Sequence, residues 1–147
     1  MIPYISGSEQ DTEMYGRRLA PRLPAGCVLA LYGDLGSGKT VLTRGLLRGL
    51  GYLGPVVSPT FSIVHEYPAG RDGITVNTAH FDLYRIRNEQ DLESTGFYDY
   101  LTQGWTLILE WSDRIPWAIE ESFLRLTIGR SGEENGRTLC LEEDLPC

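Results

Sequence analysis

Lysine is nearly missing from this 147-residue chain: Lys39 is the only one, and the other twelve basic residues are arginines. A coding bias toward arginine accounts for most of that imbalance. The one lysine is a compact point charge that the planar arginine fork replaces poorly. Cysteine is scarce as well. Cys27, Cys140 and Cys147 lie far apart with no C-x-x-C pair, which argues against a disulfide framework or a zinc site. Two strand-filling thiols and one terminal thiol are expected instead. No run of about 18 apolar residues occurs, so no membrane-spanning helix is expected. Met1 to Glu13 has neither the basic start nor the apolar core of a secretory signal, and a cytoplasmic location is the expectation. Basic charge is in deficit, with 13 Lys+Arg against 20 Asp+Glu and a net charge of −7. A chain that grips DNA or RNA by itself carries a basic patch, because phosphate neutralisation dominates such affinity. Here the basic residues are scattered. No DNA binding is expected, and any RNA role runs through a partner.

What is present fits one compact domain over residues 1–147. Ser8 predicts a helix cap over Glu9–Leu23, with Asp11 at the capping-box position. Met14, Leu19 and Leu23 form its apolar stripe. Cys27–Tyr32 is a continuous apolar run, as for a strand buried on both faces. Lys39–Leu50 reads as a helix carrying Val41, Leu42, Leu46, Leu47 and Leu50, stopped by Gly51. Ser62–Tyr67, a turn at Pro68–Gly73 and Ile74–Asp82 predict an antiparallel hairpin. Asn88 caps a short helix through Asp91, Leu92 and Glu93. Trp105–Glu110 is another buried strand. Leu124–Gly129 and Thr138–Glu142 alternate around a polar loop and predict a second hairpin. The fold class is α/β, with a mixed parallel and antiparallel central sheet flanked by helices.

Between the first buried strand and its following helix stands Gly33-Asp34-Leu35-Gly36-Ser37-Gly38-Lys39-Thr40. It satisfies G-x-x-x-x-G-K-[S/T], the phosphate-binding P-loop. Its glycines let successive backbone N–H groups turn inward onto an anion, and the helix adds its positive end. Lys39 is expected on the β- and γ-phosphates and the Thr40 hydroxyl on Mg²⁺. The dinucleotide fingerprint G-x-G-x-x-G fails, because Val41 stands at its last position. Two carboxylates end apolar strands, Asp82 after Thr78–Phe81 and Glu110 after Trp105–Leu109, where a ligand site of such a sheet forms. Ser58-Pro59-Thr60-Phe61 offers the Thr60 hydroxyl to the γ-phosphate or Mg²⁺, as a switch segment does. His65 and His80 lie in strands and are expected to serve packing or a hydrogen bond, not ligation.

Four blocks in order, the P-loop, Ser58-Pro59-Thr60-Phe61, His80-Phe81-Asp82-Leu83-Tyr84-Arg85 and Glu110-Trp111, resemble the TsaE (YjeE-type) ATPase family of bacterial tRNA threonylcarbamoyladenosine biosynthesis. The resemblance covers nearly the whole chain. It implies a slow Mg²⁺-dependent ATPase, binding ATP or ADP, that works with TsaB- and TsaD-like partners in modifying adenosine 37 of tRNAs reading codons that begin with A. Contact with tRNA is then indirect or minor. It implies Thr40 and Glu110 as Mg²⁺ ligands, with Asp82 at the same cation, and Asp82 and Trp111 in hydrolysis or its coupling. It implies Thr12 near the nucleotide, and Arg130 as the late arginine placed there. Ser37 and Phe61 depart from the family's frequent alanine and tyrosine.

Two rival classes follow from the P-loop alone. A small-molecule or nucleoside kinase calls for an arginine-rich lid, whereas Arg114, Arg125, Arg130 and Arg137 are dispersed. A nucleotide-gated interaction module selecting guanine calls for Asn-Lys-x-Asp, which a chain with no lysine beyond Lys39 does not contain. An ATP-gated module with incidental hydrolysis stays open at this point.

Overall fold

A computed structural model describes residues 3–34, 38–59, 62–71 and 74–142. Seven strands form one sheet: β1 (Tyr4–Ser6), β2 (Val28–Tyr32), β3 (Val64–Arg71), β4 (Ile74–Asp82), β5 (Thr106–Glu110), β6 (Leu124–Arg130) and β7 (Arg137–Leu141). Their order across the sheet is β1-β7-β6-β2-β5-β4-β3. The four central strands, β6, β2, β5 and β4, are parallel, and both flanks are antiparallel. The apolar runs therefore sit where the sheet is covered on both faces. Every residue of β5 is buried, as are Val28–Leu31 of β2. One core, with Leu29, Leu31 and Ile108, packs with Leu42, Leu46 and Leu47 from the Lys39–Gly49 helix. The other, with Phe81, Leu107, Leu109 and Phe97, fills the opposite face.

Helix α1 (Glu9–Leu19) begins as expected, with the Ser8 side chain accepting from the Asp11 N–H. Asp11 in return accepts from the Gly7 N–H at 3.1 Å. The helix ends earlier than the expected Leu23 and tightens into a 3₁₀ turn at Ala20–Arg22, where Pro21 supplies no N–H to an α-helical ladder. Of the expected stripe, Leu19 is buried and Leu23 packs against the core, but Met14 is 41% exposed, and the buried face of the helix holds Thr12 and Gly16 beside Leu19. Gly16 is there because α1 and α2 (Lys39–Gly49) cross backbone to backbone. A Cβ at Gly16 would lie 2.7 Å from the Leu42 carbonyl oxygen. The Arg44–Glu13 ion pair, at 3.2 Å, spans the same crossing.

The expected turn at Pro68–Gly73 is corrected. Strand β3 continues through Pro68 to Arg71, paired residue by residue with β4, and only 72–73, outside the described residues, separate the strands. β3 is an edge strand, and an edge is where a residue without an N–H is tolerated. Two short helices, α3 (Glu89–Ser94) and α4 (Phe97–Thr102), bridge β4 to β5. Asn88 caps α3 through the Asp91 N–H at 2.9 Å. Among the described residues no helix is long and apolar enough to cross a membrane. Cys27 and Cys140 are free, and burial pushes the Cys27 thiol up to about 11.

Candidate functional site

Parallel strands end at one edge, and that fact assembles the site. The loop after β2 leads to Lys39 and Thr40 at the start of α2. β4 and β5 deliver Asp82 and Glu110 as direct neighbours in register. Together with Gly38, Ser58 and Trp111 they line a cleft of about 780 Å³. That volume lies within the range of small-ligand sites, roughly 300–1,000 Å³.

Gly38 opens α2 with φ +106°, a conformation that L side chains rarely adopt, and the helix has no side-chain cap. Its first-turn N–H groups are therefore left to whatever anion the cleft holds. Lys39 is 7% exposed and donates to the Gly33 carbonyl at 2.7 Å. Its Nζ also stands 4.0 Å from the centroid of the Trp111 ring. Trp111 reaches that place because it follows β5 in the left-handed region, at φ +60°. The indole is braced edge-on by Tyr84, with centroids 4.9 Å apart, and the Arg114 guanidinium covers Tyr84 at 4.7 Å. Among the described residues Ile63, which also lines the cleft, is the other non-glycine residue with positive φ, at +68°. For a β-branched side chain that is a strained geometry, and strain of this kind collects at ligand clamps. The backbone fixes it at both ends: the Ile63 N–H donates to Pro59 O at 2.9 Å, and Ile63 O accepts from the Asp82 N–H at 2.8 Å.

Glu110 is 4% exposed. Asp82 is half-buried and accepts from the Tyr84 N–H at 3.1 Å. Burial raises the Asp82 carboxyl above its ordinary range and the neighbouring Glu110 charge adds to this; the Tyr84 N–H, His80 and Lys39 pull the other way. The sign is that of a carboxylate whose ionisation costs stability. Its contribution is favourable below the unfolded pKa of aspartate and is lost as pH rises through the raised folded value. Asp82→Asn, which keeps the acceptor for Tyr84, is expected to raise the melting temperature of the ligand-free protein at pH 7 by about 1–2 °C. The gain should shrink toward pH 3. Thermal denaturation across pH measures it.

Of the other expected site residues, Leu35, Gly36, Ser37 and Thr60 lie outside the described residues. Thr12 is buried behind the site, sharing a 2.7 Å hydrogen bond with Ser6 and donating to Ser8 O, and does not line the cleft. Glu9, one turn earlier on α1, does. Arg130 is exposed at the end of β6 and is not a lining residue. Its cross-strand partner Arg137 is, with Nε 3.5 Å from where a Gly38 Cβ would stand. The arginine of this hairpin that borders the cleft is thus on β7, directly across the ladder from the expected Arg130. Arg85, the last residue of the block that begins at His80, also lines the cleft. The arrangement offers a cation, a helix start and two carboxylates at one point. It suits binding of a phosphorylated ligand together with a hard divalent ion.

Comparison with known proteins places the chain in a family. The model of the family described as "Threonylcarbamoyl adenosine biosynthesis protein TsaE" matches residues 6–139. The tRNA threonylcarbamoyladenosine biosynthesis protein TsaE of Synechocystis is 42% identical over 71% of this chain and 66% of its own length. The Haemophilus influenzae protein of that name is 41% identical over 67% of this chain and 60% of its own length. The Streptomyces coelicolor protein is 40% identical over 79% and 77%. The chain thus spans 66% and 60% of the first two relatives. The crystal structure of Bacillus subtilis YdiB superposes with a TM-score of 0.76 at 28% identity, over 95% of this chain and 83% of that one. The chain belongs to the TsaE family, whose members are named for tRNA threonylcarbamoyladenosine biosynthesis.

Proposed function

We propose that the chain is a Mg²⁺-dependent ATPase that serves threonylcarbamoylation of adenosine 37 in tRNAs reading codons that begin with A, together with TsaB- and TsaD-like proteins. The observation that carries the reading is the convergence of Lys39, Thr40, Asp82 and Glu110 on one cleft under Trp111.

The donor set fits Mg²⁺. It consists of hard oxygens: the Thr40 hydroxyl and two carboxylates on adjacent strand ends. Among the described residues no group of three or more His, Cys, Asp or Glu forms a cage. Mg²⁺ suits such a place, since it is usually held by one or two carboxylates plus the phosphates of the substrate rather than by an all-protein site. Bound there, the ion would neutralise charge on the β- and γ-phosphates.

The chain's own residues then have separable tasks. The start of α2 binds phosphate oxygens through backbone N–H groups. Lys39 exchanges the Gly33 carbonyl for a phosphate, a short move for a flexible ammonium. Trp111 covers that lysine and keeps water off it, which strengthens the ion contact. Glu110, the deeper carboxylate, would hold the cation, and half-buried Asp82, its neighbour on β4, would be the second carboxylate there and could orient a water. Thr60 supplies a hydroxyl to the γ-phosphate or Mg²⁺. Arg137 is the late arginine suited to the phosphates.

Glu110→Ala is expected to lower the rate of phosphate release from ATP by about 10²–10³-fold, the range for loss of one preorganised electrostatic contact. A near-normal rate would sink the assignment of Glu110. A pull-down with ATP and Mg²⁺ from the source cell tests the partners; absence of TsaB- and TsaD-like proteins in every nucleotide state would count against the tRNA role. Transfer of labelled phosphate to anything but water would revive the kinase reading. Arg114 and Arg125 speak against a kinase lid, being engaged over Tyr84 and on the Phe123 and Glu120 carbonyls.

A further inference from the structure

His80 is the histidine that the functional reading leaves unused, and its surroundings ask for a role. It lies on β4 two residues before Asp82, so strand alternation puts both side chains on one face. Its side chain is completely buried, with Nε2 3.5 Å from Oε2 of Glu110. Among the described residues neither ring nitrogen has a hydrogen-bond partner. Buried polar atoms are paired in the great majority of cases, and an unpaired one calls for a reason beyond packing. A leucine or phenylalanine would fill the space without stranding two polar atoms. The expectation that a hydrogen bond or packing explains His80 is met only in part: the ring is packed, but its nearest ionisable partner is the deep carboxylate of the site.

We propose that His80 is the positioning residue of Glu110. Its Nε2, 3.5 Å from Oε2 and not yet hydrogen-bonded to it, is placed to donate to that oxygen after a small side-chain shift, and so to orient the carboxylate toward the divalent cation that it would hold. Outer groups that orient ligating carboxylates set metal affinity, and their loss costs about 10–100-fold. This inference rests on the cation reading given above. His80 itself touches neither nucleotide nor cation.

The test is a Mg²⁺ titration followed by binding of a fluorescent ADP analogue, with EDTA as the metal-free arm. In the wild-type protein Mg²⁺ should tighten binding. His80→Leu should raise the Mg²⁺ midpoint by about 10–100-fold while leaving binding in EDTA unchanged. His80→Gln, whose amide N–H replaces the lost donor, should recover most of that shift. An unchanged midpoint in His80→Leu overturns the proposal, as does an equal loss of binding in EDTA, which marks a general packing role. A wild-type protein indifferent to Mg²⁺ overturns the cation reading itself, and this one with it.

A second measurement needs no substitution at His80. Long-range nitrogen–proton NMR of the wild-type protein reports the tautomer of each of its two histidines, with His65→Gln removing the other signal. The Nε2–H form supports the proposal. The Nδ1–H form, which turns a lone pair toward Glu110, overturns it.

Discussion

Lys39→Ala is expected to reduce ATP turnover by about 10²–10³-fold, measured as phosphate release at saturating Mg²⁺. The reason is the isolation of this charge. Lys39 is the only lysine in the chain, so no neighbour of its kind takes over. It is held 7% exposed between the Gly33 carbonyl and the Trp111 ring, on the wall of the cleft. An ammonium kept from water interacts far more strongly with a developing phosphate charge than one in bulk solvent. Lys39→Arg is expected to fail nearly as badly. The guanidinium is a wide planar fork, and the space under Trp111 is shaped by a point charge at 4.0 Å from the ring. Retention of more than about a tenth of wild-type turnover by Lys39→Ala would remove the lysine from the chemistry, since one factor of ten is only about 1.4 kcal/mol of barrier. Thermal melting of both variants separates lost chemistry from lost fold.

The parts of this fold that were legible in the sequence are those whose pattern is set by burial on two faces. β2 and β5 read as unbroken apolar runs because the parallel centre of the sheet has no solvent side. The start of α2 at Lys39, after Gly38 in the left-handed region, was legible from the glycine-rich segment that precedes it. Asp82 and Glu110 were legible as polar residues at the ends of apolar strands; their adjacency was not, since it depends on the parallel register between β4 and β5. The place of Arg137 at the cleft was not legible for the same reason. Four arginines are dispersed through the last third of the chain, and only the pairing of Arg130 with Arg137 shows which strand of the hairpin turns toward Gly38. β1 and α4, of three and six residues, are too short for any period to establish. His80 could be placed in a strand, but a contact to a carboxylate thirty positions away is a tertiary fact.

The helix crossing was not legible for a different reason, and it carries the largest expected effect on stability. Apolar periodicity points to Met14, whereas the buried stripe of α1 runs through Gly16. Small residues carry no hydrophobic signal, yet they set how closely two helices approach. On α2 the matching positions are Gly45 and Gly49, four apart and so on one face. A Cβ at Gly45 would fall on the Glu13 carbonyl oxygen, with Glu13 C at 2.9 Å and Cα at 3.0 Å. At Gly49 it would meet Arg17 O at 2.5 Å. These neighbours are backbone, so no side chain can swing away. Helix propensity favours alanine over glycine by about 1 kcal/mol. Overpacking costs about 1–3 kcal/mol when side chains can shift, and more when they cannot. The second effect wins. Gly45→Ala is expected to destabilise the protein by about 3 kcal/mol and lower its melting temperature by about 6–12 °C. Gly129→Ala is the internal control, because a Cβ there meets nothing within 4 Å, and it should leave the melting temperature nearly unchanged. The consequence reaches the cleft as well, since α1 carries Glu9 to its rim and α2 begins with Lys39 and Thr40. Pushing the helices apart must move one rim against the other, so Gly45→Ala should also weaken nucleotide binding at temperatures where the chain is still folded. Equal stability of the Gly45 and Gly129 variants would show that the crossing is looser than these contacts require.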